Sequence, residues 1–160
     1  MGDWDKRIAH KDPSTAKSRT GYVVKYAGAP LFWQSKMQTQ FALSSAEAEY
    51  LALSTATRYV LSVIYMLEEL RAKGLDVKTK PRIHCTVFED NSAALEIANV
   101  PKMRPRTRHI NSVYHHFRNE VASGRLSVVP ISTVLQEADV LTKACDERTF
   151  RRHRRAIMGW

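Results

Sequence analysis

Apolar residues recur at helical spacing through the longest uninterrupted stretch of the chain, falling on Leu53, Ala56, Val60, Val63, Met66 or Leu67, and Leu70. This pattern predicts an amphipathic helix from about Ser45, read as its N-cap, to Lys73, with Gly74 stopping it. Extended one turn towards the N-terminus, the stripe lands on Glu49. A carboxylate on the core-facing stripe of a helix is costly unless something compensates it. Glu47 shares its face with Ser54 and Arg58, which predicts a solvated side chain, so Glu49 is the acid of interest.

Before this helix come three short runs rich in Val, Tyr, Phe and Trp, at 20–27, 30–36 and 39–44. The links Gly28-Ala29 and Met37-Gln38 are short enough for hairpins, so the runs predict three antiparallel strands. Trp33, Phe32 and Tyr22 read as core or sheet-face residues of these strands. Residues 1–19 are polar and rich in turn formers, an arm ahead of one domain over 20–160. After the long helix, 83–89 reads as a buried strand leading into Asp90-Asn91-Ser92 and a short helix to about Ala98. A Pro- and Arg-rich loop at 101–108 precedes a helix over 109–122, stopped by Gly124. A strand at 125–130, a helix starting near Thr133 or Val134 and a basic helix over 146–157 complete the chain. The order predicts an α/β fold: a mixed sheet of three antiparallel and then two parallel strands, with flanking helices.

Composition changes this picture in one direction. The chain has 160 residues, 44% of them apolar, enough for a core, and no apolar run of membrane-spanning length or secretory signal is read from it. Its net charge of +9 favours an anionic partner, nucleic acid first and a membrane surface second. Cys85 and Cys145 lack CxxC spacing and read as reduced thiols of an intracellular protein. His115-His116 has no partners at zinc-ligand spacing and reads as ordinary helix sequence, while His10, His84 and His153 carry no usable signal.

The candidate chemistry lies in acids that the element order brings together. Asp90 follows a buried strand, and ligands of open α/β sheets gather outside the carboxyl ends of strands. Asp139 lies in the first turns of the helix after the last strand, and Glu49 is early in its own helix, so all three can face one edge of the sheet. Taken singly, Asp90 reads equally as a helix N-cap and Asp139 reads better as a helix-dipole residue. Taken together, three carboxylates converging without cations would repel, and oxygen-rich acidic sites suit Mg²⁺ or Mn²⁺. Two such ions roughly 3.5–4 Å apart can activate a water and stabilise the leaving oxygen in phosphodiester hydrolysis. Arg104, Arg106, Arg108 and His109 belong to a basic loop entering a helix at the same edge, where loop arginines and helix amides contact phosphate. The run from Arg151 to Arg155 reads first as a solvated basic face and second as a nonspecific nucleic-acid surface.

These residues fall into pieces that together resemble the RNase H domain of copia-type retrotransposon polyproteins. The pieces are Ser18-Arg19-Thr20-Gly21-Tyr22-Val23, Trp33-Gln34-Ser35-Lys36-Met37-Gln38-Thr39, and Ala42 through Leu53. They continue with Glu89-Asp90-Asn91-Ser92-Ala93-Ala94, Arg106-Thr107-Arg108-His109-Ile110 through Tyr114-His115-His116-Phe117, and Gln136 through Lys143. The resemblance implies an RNase H-like mixed sheet and cleavage of the RNA strand of an RNA–DNA hybrid with Mg²⁺ or Mn²⁺. Glu49, Asp90 and Asp139 fall on three of the family's four carboxylates. It further implies partnership with the reverse transcriptase region of the same polyprotein, no membrane, and a place in cytoplasmic virus-like particles with passage to the nucleus. The chain departs from the pattern at its start. Gly2-Asp3-Trp4-Asp5 matches the stretch after the Asp-Ala-Asp segment whose first Asp is the fourth carboxylate. The expectation is that the first central strand and that Asp lie upstream of Met1, with Asp3 and Asp5 on the solvated arm. Weak or absent activity follows from this expectation, and a nuclease-dead binding remnant or a transposon fragment without independent function stand as alternatives.

Overall fold

The computed structural model of the protein describes residues 17–77, 83–100 and 115–160. Two strands, β1 (Arg19–Tyr26) and β2 (Ala29–Met37), form an antiparallel hairpin. Its turn residues are Ala27 and Gly28, one position earlier than the spacing predicts, with φ of 52° and 84°. Positive φ at both central residues is the requirement of a type I′ turn, whose twist matches that of the strands. Gly28 adopts it freely, while the Cβ of Ala27 crowds its own backbone. Ala27→Asn should therefore stabilise the protein by about 1 kcal/mol, seen as a rise of roughly 2–4 °C in Tm. Between the hairpin and the long helix, Tyr22 packs against Phe32 and Tyr59 at ring-centroid distances of 6.2 and 5.8 Å.

The third predicted strand does not form, and 39–44 is loop and bend. Local polar chemistry competes successfully for this segment. Buried Gln38 turns inward, donating from Nε2 to Thr20 Oγ1 at 3.2 Å and to the Ala48 carbonyl at 2.9 Å. The Leu43 amide donates to Glu47 Oε2 at 2.8 Å, so it is not available to a strand neighbour.

That last bond belongs to the start of the 28-residue helix α1 (Ser45–Ala72). Its N-cap is Ser44 rather than Ser45, and Ser44 Oγ accepts the Glu47 amide at 3.1 Å. Ser44 and Glu47 thus form a capping-box-like pair. Glu47 is buried, not solvated as its phase suggests, because its carboxylate folds back over the helix start. Gly74, with φ of 89°, ends the helix as predicted, donating to the Arg71 carbonyl at 3.0 Å. By length and composition α1 is apolar enough to cross a membrane, contrary to the reading of the sequence, but 56% of that stretch is buried inside the protein. It is a core helix: Tyr50, Leu53, Val60, Leu61 and Ile64 form the main cluster with Ile83, Ala94, Ala98, Phe117, Leu126 and Val128.

The later strands β3 (Cys85–Glu89) and β4 (Leu126–Pro130) are parallel, as the element order predicts. Between them lie α2 (Ser92–Asn99) and α3 (Arg118–Ala122). Residues 109–114 of the helix expected over 109–122 lie outside the described residues. After β4 the predicted helix is replaced by two 3-10 turns, Thr133–Leu135 and Glu137–Leu141. Tertiary partners hold them in place. The Leu141 carbonyl accepts from Ser35 Oγ of β2 at 2.5 Å, and Gln136 Nε2 donates to the Phe88 carbonyl at 3.2 Å. Lys25 pairs with Glu137 at 2.6 Å. The last helix, α4 (Glu147–Met158), is capped by Asp146, which accepts the Thr149 amide at 2.9 Å.

Pairing among the described strands makes two separate two-stranded sheets, β1-β2 and β3-β4, not one mixed sheet with a three-stranded antiparallel part. The architecture is mixed α/β with two small sheets and helices.

Candidate functional site

A cleft of about 550 Å³ lies between the two sheets, with α1 along it. Glu49, Ala52, Leu53, Ala56, Thr57 and Val60 of α1 all line it, at the three- and four-residue spacing of one helix face. Glu49 therefore sits on the same stripe as the apolar residues that follow it. Glu89 and Asp90 enter the cleft where β3 ends, and Glu137 and Asp139 enter it from the second 3-10 turn. Parallel pairing of β3 and β4 puts the ends of both strands on this side.

Each acid has a distinct setting. Burial raises the pKa of Glu49, the negative charges of Asp90 and Asp139 raise it further, and Lys143 opposes them. The bland explanation of Asp90 as a helix cap is met by its neighbour: Asn91 Oδ1 accepts the Ala93 and Ala94 amides at 3.0 and 3.1 Å and caps α2. Asp139 lies in a five-residue 3-10 turn rather than in an α-helical first turn. Its carboxylate pairs with Lys143 Nζ at 2.6 Å. The turn sits tightly on β1, because a Cβ at Gly21 would come within 2.5 Å of Thr142 Cγ2 and 3.2 Å of the Ala138 carbonyl.

Glu89 and His153 of the cleft, and Lys143 paired with Asp139, were not singled out from the sequence. Glu89 is only 6% exposed, and burial pushes its pKa up to about 7. Its Oε1 accepts the Asn91 amide at 2.9 Å, which acts the other way, and Glu49, Asp90 and Asp139 add repulsion. Its position as the last residue of the strand, next to Asp90, is the signal that could have found it. His153 of α4 is 2% exposed, and its pKa is lowered by burial and by Arg152 against the pull of Asp139 and Glu137. Lys143, four residues after Asp139, was legible as an i,i+4 partner. The expected phosphate contacts Arg104, Arg106, Arg108 and His109 lie outside the described residues. His115 is not simply a helix residue, since its Nδ1 bonds the hydroxyl of buried Tyr50 at 2.6 Å.

The donor set is all oxygen and mutually repulsive, which suits a hard divalent cation. Its closure does not match: among the described residues, no three of His, Cys, Asp and Glu gather closely enough to hold one ion. The carboxylates ring the cleft instead of meeting at a point.

No family model matches the chain, and no solved structure matches it. Three plant transposon polyproteins do. The retrovirus-related Pol polyprotein from transposon TNT 1-94 of Nicotiana tabacum is 34% identical over 139 residues, covering 87% of this chain and 10% of that protein. Those from transposons RE2 and RE1 of Arabidopsis thaliana are each 36% identical, over 140 and 133 residues, covering 88% and 83% of this chain and 9% of each polyprotein. The chain thus spans about a tenth of the length of these relatives. Its homologues are retrovirus-related Pol polyproteins of plant transposons, which supports a retrotransposon-derived region.

Proposed function

We propose that this chain is the RNase H-like region of a copia-type Pol polyprotein, ancestrally built for two-metal hydrolysis of the RNA strand of RNA–DNA hybrids, and that alone it hydrolyses weakly or not at all. One observation carries the reading: Glu49, Asp90 and Asp139, from three distant segments, line one cleft, where burial and then the charges of Asp90 and Asp139 raise the proton affinity of Glu49. Their oxygens suit Mg²⁺ or Mn²⁺, an ion that would supply an activated water and a counter-charge for the leaving oxygen, but they would have to draw closer than they stand here to hold it. Lys143 neutralises Asp139 meanwhile, and Arg104, Arg106, Arg108 and His109 grip phosphates. The reverse transcriptase region is the partner, in cytoplasmic particles with passage to the nucleus.

Weak hydrolysis is argued from closure. The carboxylates do not gather into an ion-holding group, and no strand lies between the two sheets among the described residues. The same observation favours a second reading, a nuclease-dead nucleic-acid-binding module. Both are tested by fluorescence anisotropy with a labelled RNA–DNA hybrid. Binding should weaken with salt, with a slope of about −0.9 per phosphate contact, and Mn²⁺ should strengthen it in the parent but not in Asp90→Asn. A Mn²⁺ effect that survives Asp90→Asn counts against the carboxylate site. Binding no tighter to hybrid than to single strands counts against both readings.

A further inference from the structure

Helix α4 carries five arginines among its twelve residues and a single acid, Glu147. One side of the helix is taken by the rest of the protein. His153 is 2% exposed, Ala156 lines the cleft, and the Ala156 carbonyl accepts from Lys25 Nζ at 2.7 Å. Arg152 is also committed inward, donating to the Val134 carbonyl at 2.6 Å. On the opposite side Arg148, Arg151 and Arg155 stand at the three- and four-residue spacing of one row, and all three are exposed. Arg151 pairs with Glu147 at 2.5 Å, but both side chains lie in solvent, where such a pair holds an arginine weakly. Seven residues of helical rise make the row about 10 Å long. Beyond its end an aromatic ring is held out. Gly159, with φ of 83°, ends the helix, its amide donating to the Arg155 carbonyl at 2.8 Å. Trp160 then lies against Arg154, whose guanidinium is 5.5 Å from the ring centroid. The indole is 69% exposed, so one of its faces carries the cation and the other meets solvent.

We infer that the outer side of α4 binds single-stranded nucleic acid, with Arg148, Arg151 and Arg155 on successive phosphates and a base stacked on the open face of Trp160. The guanidinium fork matches phosphate geometry, and a row of such forks tracks a backbone without reading its sequence. At an axial rise of about 3.4 Å per nucleotide in a stacked strand, about three phosphates span the row. An exposed indole beside a basic row is the platform on which unpaired bases stack. In a duplex those base faces are already covered by their neighbours, so the ring selects a single strand. An anionic membrane fits less well. A helix that lies in a membrane interface inserts a broad apolar face. The inner side of α4 is occupied by the protein, and its outer side offers arginines with Met158 and Trp160 alone as exposed apolar residues. The surface is separate from the carboxylates of the cleft, and the inference stands whether or not the chain cleaves nucleic acid.

The test is fluorescence anisotropy of the full chain with a labelled oligothymidylate of about twenty nucleotides, titrated at several salt concentrations. Replacing Arg148, Arg151 and Arg155 together by glutamine, which keeps helix propensity, should weaken binding about tenfold or more at low salt with Tm unchanged. The slope of log affinity against log salt, about −0.7 per phosphate contact on a single strand, should fall in magnitude by about 2. Trp160→Ala should also weaken binding by about tenfold but leave the salt slope unchanged, because stacking releases no counterions. A salt slope unchanged in the triple variant, or full affinity in Trp160→Ala, overturns the inference. Vesicles containing phosphatidylserine that bind the chain in place of the oligonucleotide, through the same residues, also overturn it and assign the surface to a membrane. In the triple variant, the comparison of hybrid with single strands reports on the cleft alone, so failure of this inference and failure of the hydrolytic reading are told apart.

Discussion

Glu89→Gln should stabilise the metal-free protein at pH 8 by up to about 3 kcal/mol and flatten its stability profile between pH 4.5 and 7. The ordinary pKa of this side chain is 4.5, and burial at the end of β3 lifts it to about 7. Between those values the folded protein keeps a proton that the unfolded chain has lost. The folded state then binds more protons, so stability falls as pH rises through this window. Above pH 7 the folded protein carries a buried charge among the like charges of Glu49, Asp90 and Asp139. Glutamine is neutral at every pH and keeps an oxygen for the Asn91 amide, so only the charge is removed. His153, with its lowered pKa, contributes in the opposite sense: its share of stability is lost as pH falls below its ordinary range. Urea unfolding of parent and variant at pH 5, 6, 7 and 8 isolates Glu89 by difference. A difference that does not grow with pH would contradict its assigned burial.

Gly21→Ala should cost about 1–3 kcal/mol and move the turn that carries Asp139. The new Cβ would lie 2.5 Å from Thr142 Cγ2 and 3.1 Å from Leu141 Cβ. Threonine is stiff at χ1 and cannot swing away cheaply. The Thr142 hydroxyl also donates to the Asp139 carbonyl at 3.1 Å, so displacing it loosens the turn from inside. A fall of roughly 2–4 °C in Tm for each kcal/mol is expected, together with weaker Mn²⁺ binding than in the parent. An unchanged Tm would mean that β1 and the turn are not in contact. An unchanged Mn²⁺ affinity with a lowered Tm would count against the proposal that Asp139 is a metal ligand.

The long helix was legible because burial governs its first half: the stripe through Leu53, Ala56 and Val60 is buried, and extending it picked Glu49 out of two nearby acids, whereas further on Leu61 and Ile64 are buried and Met66 is exposed. The parallel pair β3 and β4 was legible from element order alone. Failures occurred where polar contacts outbid pattern. Residues 39–44 look like a strand, but Gln38 and Glu47 claim the polar groups on either side of the loop. Glu47 looks solvated by phase, but capping draws it in. The segment after β4 looks helical, but contacts with Ser35, Phe88 and Lys25 hold it as 3-10 turns. The proton affinity of Glu89 was not legible, because it depends on three acids that are distant in sequence and on burial that only the fold creates.

The central claim is a hydrolytic carboxylate site that is present but not closed in this chain. Cleavage of an end-labelled RNA–DNA hybrid with Mg²⁺ or Mn²⁺, beside Asp90→Asn, tests it most directly. The account predicts a folded protein that binds the hybrid and cuts it at trace level or not at all, with any trace abolished in Asp90→Asn. Vigorous cutting that depends on Asp90 would show that the site closes in this chain alone. Cutting that survives Asp90→Asn would show that these carboxylates are not the site.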